Sequence, residues 1–383
     1  MTTSSAHVTW AEADARRIHR QFLDEPADAG PADVAAAMLG AHAQVLSAAE
    51  LSLSLRIAGA TRADVRAALW QDRSLVKTYG PRGTLHLLPA ADLALWTGAL
   101  SALPAGRSGH PEHVRLTAAQ TDEVVAAIGD ALAGAELTVD ELTDAIVERT
   151  GPWAGERVME AFQDKWPRWR QATATAAHRG VLCFGANRGR KVTYTNPGIR
   201  PMAGPAGLGE LVERYLRAYG PADSQHFATW LAAPAGWARD LFAALAGEGR
   251  IEELGFEDGT GWVVAGDTEF PAEPARGVRL LPYFDAFGIA SQPRARLFPG
   301  RASARALAGG QAGNFPLLLV DGEVAGVWHQ RRSGKRIAVT VEPLKPLSAR
   351  RLRALEHEAA RVGEALEGAA ELTVGRVAVG PHA

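Results

Sequence analysis

A histidine and a glutamine two residues apart, His42 and Gln44, have the side chains and the spacing to act together on a water molecule. A neutral imidazole can accept a proton near neutral pH, and an amide can hold water by hydrogen bonds. Gly40 ends a predicted helix and Ser47 begins the next, so the pair lies in the connection, where residues i and i+2 of an extended segment share a side. The alternative is a polar turn in which both side chains bind loop carbonyls.

The elements that position this pair are predicted from capping residues and from hydrophobic spacing. Capping boxes of the form Ser/Thr-x-x-Glu/Gln, whose side chains satisfy orphan backbone N–H groups, predict helix starts at Ser47, Thr117 and Thr138. Apolar residues at helical spacing predict further helices in segments 32–40 and 61–72. The pair is therefore enclosed between predicted helices.

A predicted β-hairpin over residues 74–89, with its turn at Gly80–Gly83, follows the first three helical segments. Three helices followed by a hairpin is the order of a winged helix. The same order recurs at 116–197 and at 209–266 with different residues. A period near 100 residues indicates duplicated domains rather than a solenoid.

The predicted secondary structure changes from mainly helices to mainly strands after Glu273. Predicted strands alternate with Gly- and Pro-rich turns, Asp321-Gly322 is a strong hairpin signal, and one helix is predicted over 348–368. The fold class is therefore α+β, with three tandem winged-helix units and a C-terminal β-barrel-like domain or curled sheet. The predicted domains are winged helix 1 with the candidate loop (1–105), winged helix 2 (106–203), winged helix 3 (204–273) and the barrel-like domain with its helix (274–383).

Composition excludes several classes of protein. With 383 residues, 47% hydrophobic and 22% charged, the chain is typical of a globular protein with several compact units. The single cysteine, Cys183, excludes a disulfide framework and a cysteine-based metal cage, and its apolar neighbours predict that it is buried. The histidines form no His-Glu-x-x-His pattern, so we expect no metal site. No signal-peptide core and no run of about 18 apolar residues is present, so we expect a soluble, cytoplasmic protein.

The formal net charge of −2 conceals an uneven distribution. Residues 274–355 contain 14 Lys and Arg against 4 Asp and Glu, a net +10, which leaves −12 on the rest of the chain. A basic surface of this kind can face phosphate groups. The alternative is a basic domain that is merely solvated.

Four segments that follow one another along the chain resemble a known family. They read DRSLVKTYGPRGTLHLLPAADL, YLRAYGPADSQHFATWL, LLPYFDAF and GNFPLLLVDGEVAGVWHQRRSGKR. With them the chain resembles the bacterial winged-helix DNA-binding superfamily that includes the AlkZ-like alkylpurine DNA glycosylases, over about residues 10–368. The resemblance implies three winged helices around a C-terminal β-barrel, which bind duplex DNA in a basic channel. It also implies hydrolysis of the bond between deoxyribose and an N-alkylated purine, without metal or cofactor.

The resemblance also implies where the reaction takes place. At the position of His42-Ala43-Gln44, glycosylases of this family have Gln-x-Gln, or Gln-x-Asp in another branch. An N-alkylated purine is cationic and leaves readily, so the enzyme mainly stabilises an oxocarbenium-like centre and places a water molecule. His42 and Gln44 are then expected to hold that water or activate it, His42 by accepting a proton.

Other candidate residues support binding more than chemistry. Asp285, a lone carboxylate among aromatic residues, and His86, on a predicted strand, are candidate supporting groups of the site, and each has a structural hydrogen-bonding role as its alternative. Basic and polar side chains at two hairpin turns are expected to bind DNA, since arginine and lysine bind phosphates. The expected DNA-binding residues are Arg82, Thr84, His329, Gln330, Arg331, Arg332, Lys335 and Arg336.

We therefore expect a monofunctional DNA repair glycosylase that acts as a monomer on alkylated or bulky purines in duplex DNA. The only lysines among the first 250 residues, Lys77, Lys165 and Lys191, lie outside the candidate loop, which argues against lysine-dependent strand cleavage. A role in self-resistance to a genotoxin would make the substrate a large adduct or a cross-link. The alternative is a non-catalytic winged-helix DNA-binding protein that regulates transcription or sequesters lesions.

Overall fold

The computed structural model describes residues 7–106, 109–160, 164–257, 259–307 and 309–380. It is a mixed α+β structure, which confirms the predicted class. The chain divides into two compact units, a larger one formed by Met1–Leu75 with Val212–Ala383 and a smaller one formed by Val76–Leu211. The four-part division expected from the sequence stays a prediction.

Two helices in the N-terminal part of the larger unit, α1 and α4, begin after capping residues. Thr9 and Thr61 accept hydrogen bonds from backbone N–H groups of the helices that follow them, and both have complete capping boxes. Gly40, with φ of 88°, turns the chain out of the second helix. These elements are β1 (His7–Val8), α1 (Trp10–Arg20), α2 (Pro31–Ala37), β2 (Ala41–His42), α3 (Leu46–Ser54) and α4 (Arg62–Trp70).

The capping box predicted at Ser47 is wrong. Helix α3 begins at Leu46, and its N-cap is Val45, whose side chain accepts no hydrogen bond. Ser47 lies within the first turn, and the carboxylate of Glu50 instead accepts from Arg66 of α4, with Nε 2.7 Å from Oε1. Glu50 is buried, and a buried carboxylate is stabilised more by a guanidinium group than by a backbone N–H.

The capping boxes predicted at Thr117 and Thr138 are confirmed, because each hydroxyl accepts from a backbone N–H and the third residue of the helix binds back. Both boxes lie in the middle part of the chain. This part also contains three short 3-10 turns, at Pro81–Gly83, Ala90–Asp92 and Arg168–Ala172. Its other elements are β3 (Leu75–Tyr79), β4 (Leu85–Pro89), α5 (Leu93–Ser101), α6 (Ala118–Ala131), β5 (Glu136–Thr138), α7 (Val139–Thr150), α8 (Pro152–Gly155), β6 (Arg157–Glu160), β7 (Lys165–Pro167), α9 (Thr173–His178), β8 (Cys183–Phe184) and β9 (Thr193–Thr195).

Two aromatic residues, Trp169 and Tyr194, lie at the centre of the smaller unit. Both are buried, and their rings meet edge to face with centroids 6.5 Å apart. Apolar residues of α6, α7 and α9 pack around them. Strand β9 pairs antiparallel with β5 and β8, which confirms the predicted strand pair, and Cys183 on β8 is buried as predicted.

The C-terminal part of the chain contains a small three-stranded sheet, in which β1 joins a hairpin, and a larger five-stranded sheet. Its elements are α10 (Gly204–Tyr219), α11 (Ser224–Leu231), α12 (Ala235–Gly247), β10 (Ile251–Phe256), β11 (Gly259–Val264), β12 (Val278–Leu281), α13 (Ala286–Ala290), α14 (Arg294–Leu297), α15 (Arg301–Ala306), β13 (Leu317–Val320), β14 (Glu323–Ser333), β15 (Arg336–Pro343), α16 (Ala349–Ala365) and β16 (Ala369–Val374).

The five-stranded sheet has the order β12-β13-β14-β15-β16 and is an open, curled sheet rather than a closed barrel, with β12 and β16 as its edges. All its pairs are antiparallel except β15 with β16. The hairpin predicted at Asp321-Gly322 is confirmed, and both residues have positive φ, as a tight two-residue turn requires. Helix α16 packs on one face of the sheet and buries Leu355 and Val362 there.

No helix in the described part of the chain is long and apolar enough to cross a membrane. Within the same residues, no group of three or more His, Cys, Asp and Glu side chains is arranged to hold a metal ion.

Candidate functional site

His42 and Gln44 lie at the end of β2 and in the bend that leads to α3, so the predicted position in a connection between helices is confirmed. His42 is 6% exposed and lies between the buried Ala41 and Ala43, whereas Gln44 is exposed. The strand ends at His42 and the chain bends at Gln44, so the alternation of an extended strand does not run through both residues. The loop therefore offers one buried imidazole and one amide that solvent and ligands can reach.

Asp285 lies in a buried ion pair. Its oxygens Oδ2 and Oδ1 accept hydrogen bonds from Nη1 and Nη2 of Arg56, each at 2.8 Å. Oδ2 also accepts from Ser52 Oγ at 2.6 Å, and Oδ1 from the N–H of Phe287 at 3.0 Å. A carboxylate has about four acceptor positions, so these four bonds use its capacity. This geometry favours the structural alternative for Asp285 over direct contact with a cationic intermediate.

The partner of Asp285 carried no signal in the sequence. Arg56 lies 229 positions away, and its side chain is 1% exposed. Only the tertiary structure brings the two charges together. Because Ser52 lies on α3 about 9 Å from the first turn of that helix, the ion pair anchors the far end of the helix that begins beside Gln44. Asp285 therefore supports the candidate loop indirectly.

Arg82, Thr84 and His86 lie at the tight turn between β3 and β4, in the smaller unit. Arg82 is exposed, and its backbone has the left-handed conformation, with φ of 60°. The N–H of Gly80 donates to the carbonyl of Thr84 at 2.8 Å, and the hydroxyl of Thr84 donates to the carbonyl of Pro81 at 2.9 Å. These bonds fix the turn at which the exposed Arg82 lies.

His86 is buried beneath this turn, and its Nδ1 lies 2.9 Å from the carbonyl oxygen of Thr84. Burial lowers the pKa of His86 to about 4, so the ring is neutral at physiological pH. A Cβ atom on Gly80 would lie only 2.6 Å from that Nδ1. Packing of the turn on the ring therefore depends on a glycine at position 80, and the surroundings of His86 fit its structural alternative.

A second histidine, His178 of α9, packs against the same turn and was not singled out in the sequence. The residue is half-buried, and its Nε2 atom is buried. Burial lowers the pKa of His178 to about 4, although hydrogen bonds to the backbone of Gly80 and Tyr79 act in the opposite direction. Two neutral imidazoles, one buried and one half-buried, thus support one turn.

The residues predicted to bind DNA at the other hairpin, between β14 and β15, divide between two faces. Alternation along the strand places His329 and Arg331 on one face, and Gln330 and Arg332 on the face where α16 packs. Arg332 donates through Nη1 to the carbonyl of Leu366, which follows α16. The structure thus ties Arg332 to the fold.

The charged tip of this hairpin is also only partly committed to internal bonds. Arg336 donates through Nη2 to Glu371 Oε2 at 2.8 Å, whereas the side chains of Arg331 and Lys335 are exposed and form no hydrogen bond or ion pair with another described residue. Nδ1 of His329 and Oε1 of Gln330 are buried without a hydrogen-bond partner in the described part of the chain. Arg331 and Lys335 are therefore the hairpin residues whose charged groups a ligand can reach directly.

Acidic residues from elsewhere in the chain neutralise much of the basic stretch at 274–355. Arg296 lies 3.6 Å from Asp14, and Arg279 lies 3.9 Å from Glu358. The basic composition is therefore not a uniform basic surface. The cations of the stretch that are exposed and lack an ion pair within the described residues are Arg301, Arg331, Arg332, Lys335, Lys345, Arg350 and Arg353.

Comparisons with known proteins cover nearly the whole chain. Residues 35–365 match the family model described as "DNA glycosylase AlkZ-like". A protein of Streptomyces sahachiroi named "Interstrand DNA cross-link repair glycosylase" is 31% identical over 375 residues, which are 94% of this chain and 96% of that protein. The solved structure of the S. sahachiroi DNA glycosylase AlkZ has a TM-score of 0.79 and 28% identity, and covers 96% of this chain and 100% of its own. The family match includes the His42–Gln44 loop and both hairpins.

Proposed function

This chain belongs to the AlkZ-like family of DNA glycosylases, and on that premise we propose that it hydrolyses the N-glycosidic bond of alkylated or bulky-adduct purines in duplex DNA. Membership confirms the resemblance to AlkZ-like DNA glycosylases and the expectation of an enzyme of DNA repair. The observation that carries the finer proposal is the loop His42-Ala43-Gln44, which places an exposed amide and a buried imidazole at the start of an anchored helix.

In the proposed reaction, Gln44 and His42 act on one water molecule. The amide oxygen of Gln44 accepts a hydrogen bond from the water and orients it towards C1′ of the damaged nucleotide. The C1′–N bond breaks with its electron pair going to the purine, whose positive charge makes it a good leaving group. The water oxygen bonds to C1′, and His42 accepts the proton that the water releases. No metal or cofactor is needed for this step.

The two hairpins supply the DNA contacts in this proposal. Arg331 and Lys335 bind phosphates, because both are exposed and free of internal ion pairs within the described residues. His329 and Gln330, which are both partly exposed, contact a groove or the sugar edge through the accessible parts of their side chains. Arg82, held in a fixed turn, binds a further phosphate.

The finer architecture is part of the same proposal. The three segments in which helices precede a hairpin act as winged-helix modules, and the chain works as a monomer because the modules already provide an extended binding surface. The name of the S. sahachiroi relative supports extending the substrate class to interstrand cross-links, in which a bulky group joins purines of opposite strands.

Release of abasic sites from a duplex containing N7-methylguanine tests the proposal. Purified protein is incubated with the duplex, and alkali reveals abasic sites as strand breaks on a denaturing gel. The variant His42→Ala/Gln44→Ala is expected to lose at least ~100-fold in rate while still binding the duplex. The variant His42→Gln, which creates the Gln-x-Gln motif, keeps a side chain that holds water but cannot accept its proton, so it is expected to bind the duplex like the wild type and to lose less rate than the double variant. Wild-type activity in the double variant would refute the assigned residues.

The histidine in place of the first glutamine supports a second candidate function, that of a DNA-binding protein without glycosylase activity. The same experiment separates the two, extended to a duplex with a bulky purine adduct and to one with an interstrand cross-link. Tight binding without base release from all three duplexes would establish the second function. Base release by the wild-type protein would eliminate it.

A further inference from the structure

Val45 breaks two rules of local structure at one position. It is 40% exposed, and the large apolar residues exposed to this degree in the described part of the chain are Val45, Trp166 and Val374. It is also the N-cap of α3, with φ of −113° and ψ of 102°, and it offers no side-chain acceptor to the helix. Serine, threonine, aspartate and asparagine are strongly preferred at this position.

Side-chain caps are common in this chain but not universal. The helices that begin after Thr9, Thr61, Thr117 and Thr138 have a side-chain acceptor at the N-cap, whereas α2, α5 and α12 have none. An exposed valine in place of such a residue is unfavourable for stability twice over, through the lost cap and through apolar surface left in water. The two costs occur together at a residue beside the candidate loop, and departures from local rules are expected at functional sites.

The position of Val45 indicates what that function is. It directly follows Gln44, the exposed amide of the candidate loop, and precedes a helix whose far end is anchored by the buried pair of Arg56 and Asp285. A β-branched side chain has few rotamers, so its methyl groups form a fixed apolar surface. The loop thus presents a rigid apolar group beside the amide that orients water in the proposed function.

We infer that Val45 is a specificity-determining residue whose methyl groups pack against the apolar face of the damaged nucleotide, either its deoxyribose or a bulky aromatic adduct. This contact keeps bulk water away from C1′ and leaves the water held by Gln44 in place. The inference rests on the proposed function, because it requires a damaged nucleotide bound at the His42–Gln44 loop. A larger apolar adduct covers more of the valine and depends on it more.

The variant Val45→Ser separates this role from a merely structural one, because the two roles predict opposite effects. Serine caps α3, so the Tm is expected to rise by roughly 2 °C. Loss of the apolar contact is expected to lower kcat/KM by roughly tenfold on a duplex with a bulky aromatic purine adduct, mostly through KM, and by less on N7-methylguanine. Val45→Ile, which keeps an apolar β-branched group, is expected to retain wild-type kinetics.

Val374→Ser is the matched control, since Val374 is 46% exposed on β16, and its kinetics are expected to equal those of the wild type. A more stable Val45→Ser protein with wild-type kcat/KM on both substrates would overturn the inference. That outcome differs from a failure of the proposed function, in which wild-type protein releases no base or the His42→Ala/Gln44→Ala variant remains fully active.

Discussion

The two hairpin turns that carry the predicted DNA contacts are built in different ways. The turn between β3 and β4 rests on two neutral histidines, the buried His86 and the half-buried His178, and has one exposed arginine, Arg82, in a left-handed conformation. The tip of the β14–β15 hairpin is exposed from Arg331 to Arg336 and carries four cations. The first turn is fixed by packing beneath it. Among the described residues, the second is held by its strand ladder, one ion pair of Arg336 with Glu371 and the hydrogen bond of Arg332 to Leu366.

This difference shows that the binding mode of an arginine depends on the turn that carries it. A charge on a rigid turn can bind one phosphate at a defined place, because the buried residues beneath the turn hold its backbone in position. A row of exposed charges contributes to binding mainly through counterion release, without a fixed geometry. The predictions below change one hairpin at a time and use the other as its control.

The largest expected effect is acid destabilisation of the β3–β4 turn. The folded pKa of His86 and of His178 is about 4, below the unfolded value of 6.5, so stability is fully present above pH 6.5 and is lost as pH falls towards 4. The expected slope is about 1.4 kcal/mol per pH unit for each histidine. Hydrogen exchange of residues 76–90, measured at steps from pH 7 to pH 5 and corrected for intrinsic rates, should show the loss. In His86→Asn half of the slope should disappear, and an unchanged slope would contradict the assignment.

The matched histidine of the other hairpin is His329, whose pKa is lowered by burial and by Arg331. It is partly exposed, so His329→Asn is expected to leave the pH dependence of exchange across the β14–β15 hairpin nearly unchanged. Equal sensitivity of the two hairpins would remove the contrast between them.

A smaller effect is expected from a single methyl group at each turn. Gly80→Ala places Cβ against the buried ring of His86, and such overpacking is expected to lower the free energy of unfolding by up to ~3 kcal/mol. In Gly334→Ala the new Cβ atom contacts no other atom, and the only cost is the positive φ of 61°. We therefore expect the free energy of unfolding to fall by about 1 kcal/mol. Urea unfolding of the two variants compares them directly, and an equal loss would show that the β3–β4 turn is not fixed by packing.

The cations of the β14–β15 hairpin should fall into two groups that contribute differently to DNA binding. Arg331→Ala/Lys335→Ala removes two cations that have no internal partner within the described residues. The slope of log K against log salt is therefore expected to fall by about 2, with a loss of affinity of roughly tenfold. Arg332→Ala/Arg336→Ala removes the same charge from groups already bound to Leu366 and Glu371, and a smaller change is expected. Binding isotherms at several salt concentrations measure both variants, and equal slopes would reject the division.

The smallest effect is expected for the stability contribution of Arg336 alone. Its hydrogen bond lowers the pKa of Glu371, but both side chains are more than half exposed, and exposed ion pairs contribute little. In Arg336→Ala the pKa of Glu371 should return towards its ordinary value, as seen by NMR titration, while the Tm stays unchanged. A clear drop in Tm would mean that the hairpin tip is more strongly held than the ladder alone suggests.

Local chemistry explains which parts of the fold were predictable. The capping boxes at Thr117 and Thr138 and the turn at Asp321-Gly322 are short-range patterns, and all three are present as predicted. The box at Ser47 has the same pattern and is absent, because Glu50 is buried and bound to Arg66 of a neighbouring helix. A pattern of four residues contains no information on such a partner.

For the candidate site, the sequence by itself determined the loop between two helices, its His42-Ala43-Gln44 motif and the family resemblance that gives the motif a meaning. Only the tertiary structure decided that His42 is buried while Gln44 is exposed, that Asp285 is bound to Arg56, and that His86 lies beneath the turn that presents Arg82. The physical reason is that burial and ion pairing depend on residues far apart in the chain. The chemistry of a side chain follows from its type, but its availability follows from what packs against it.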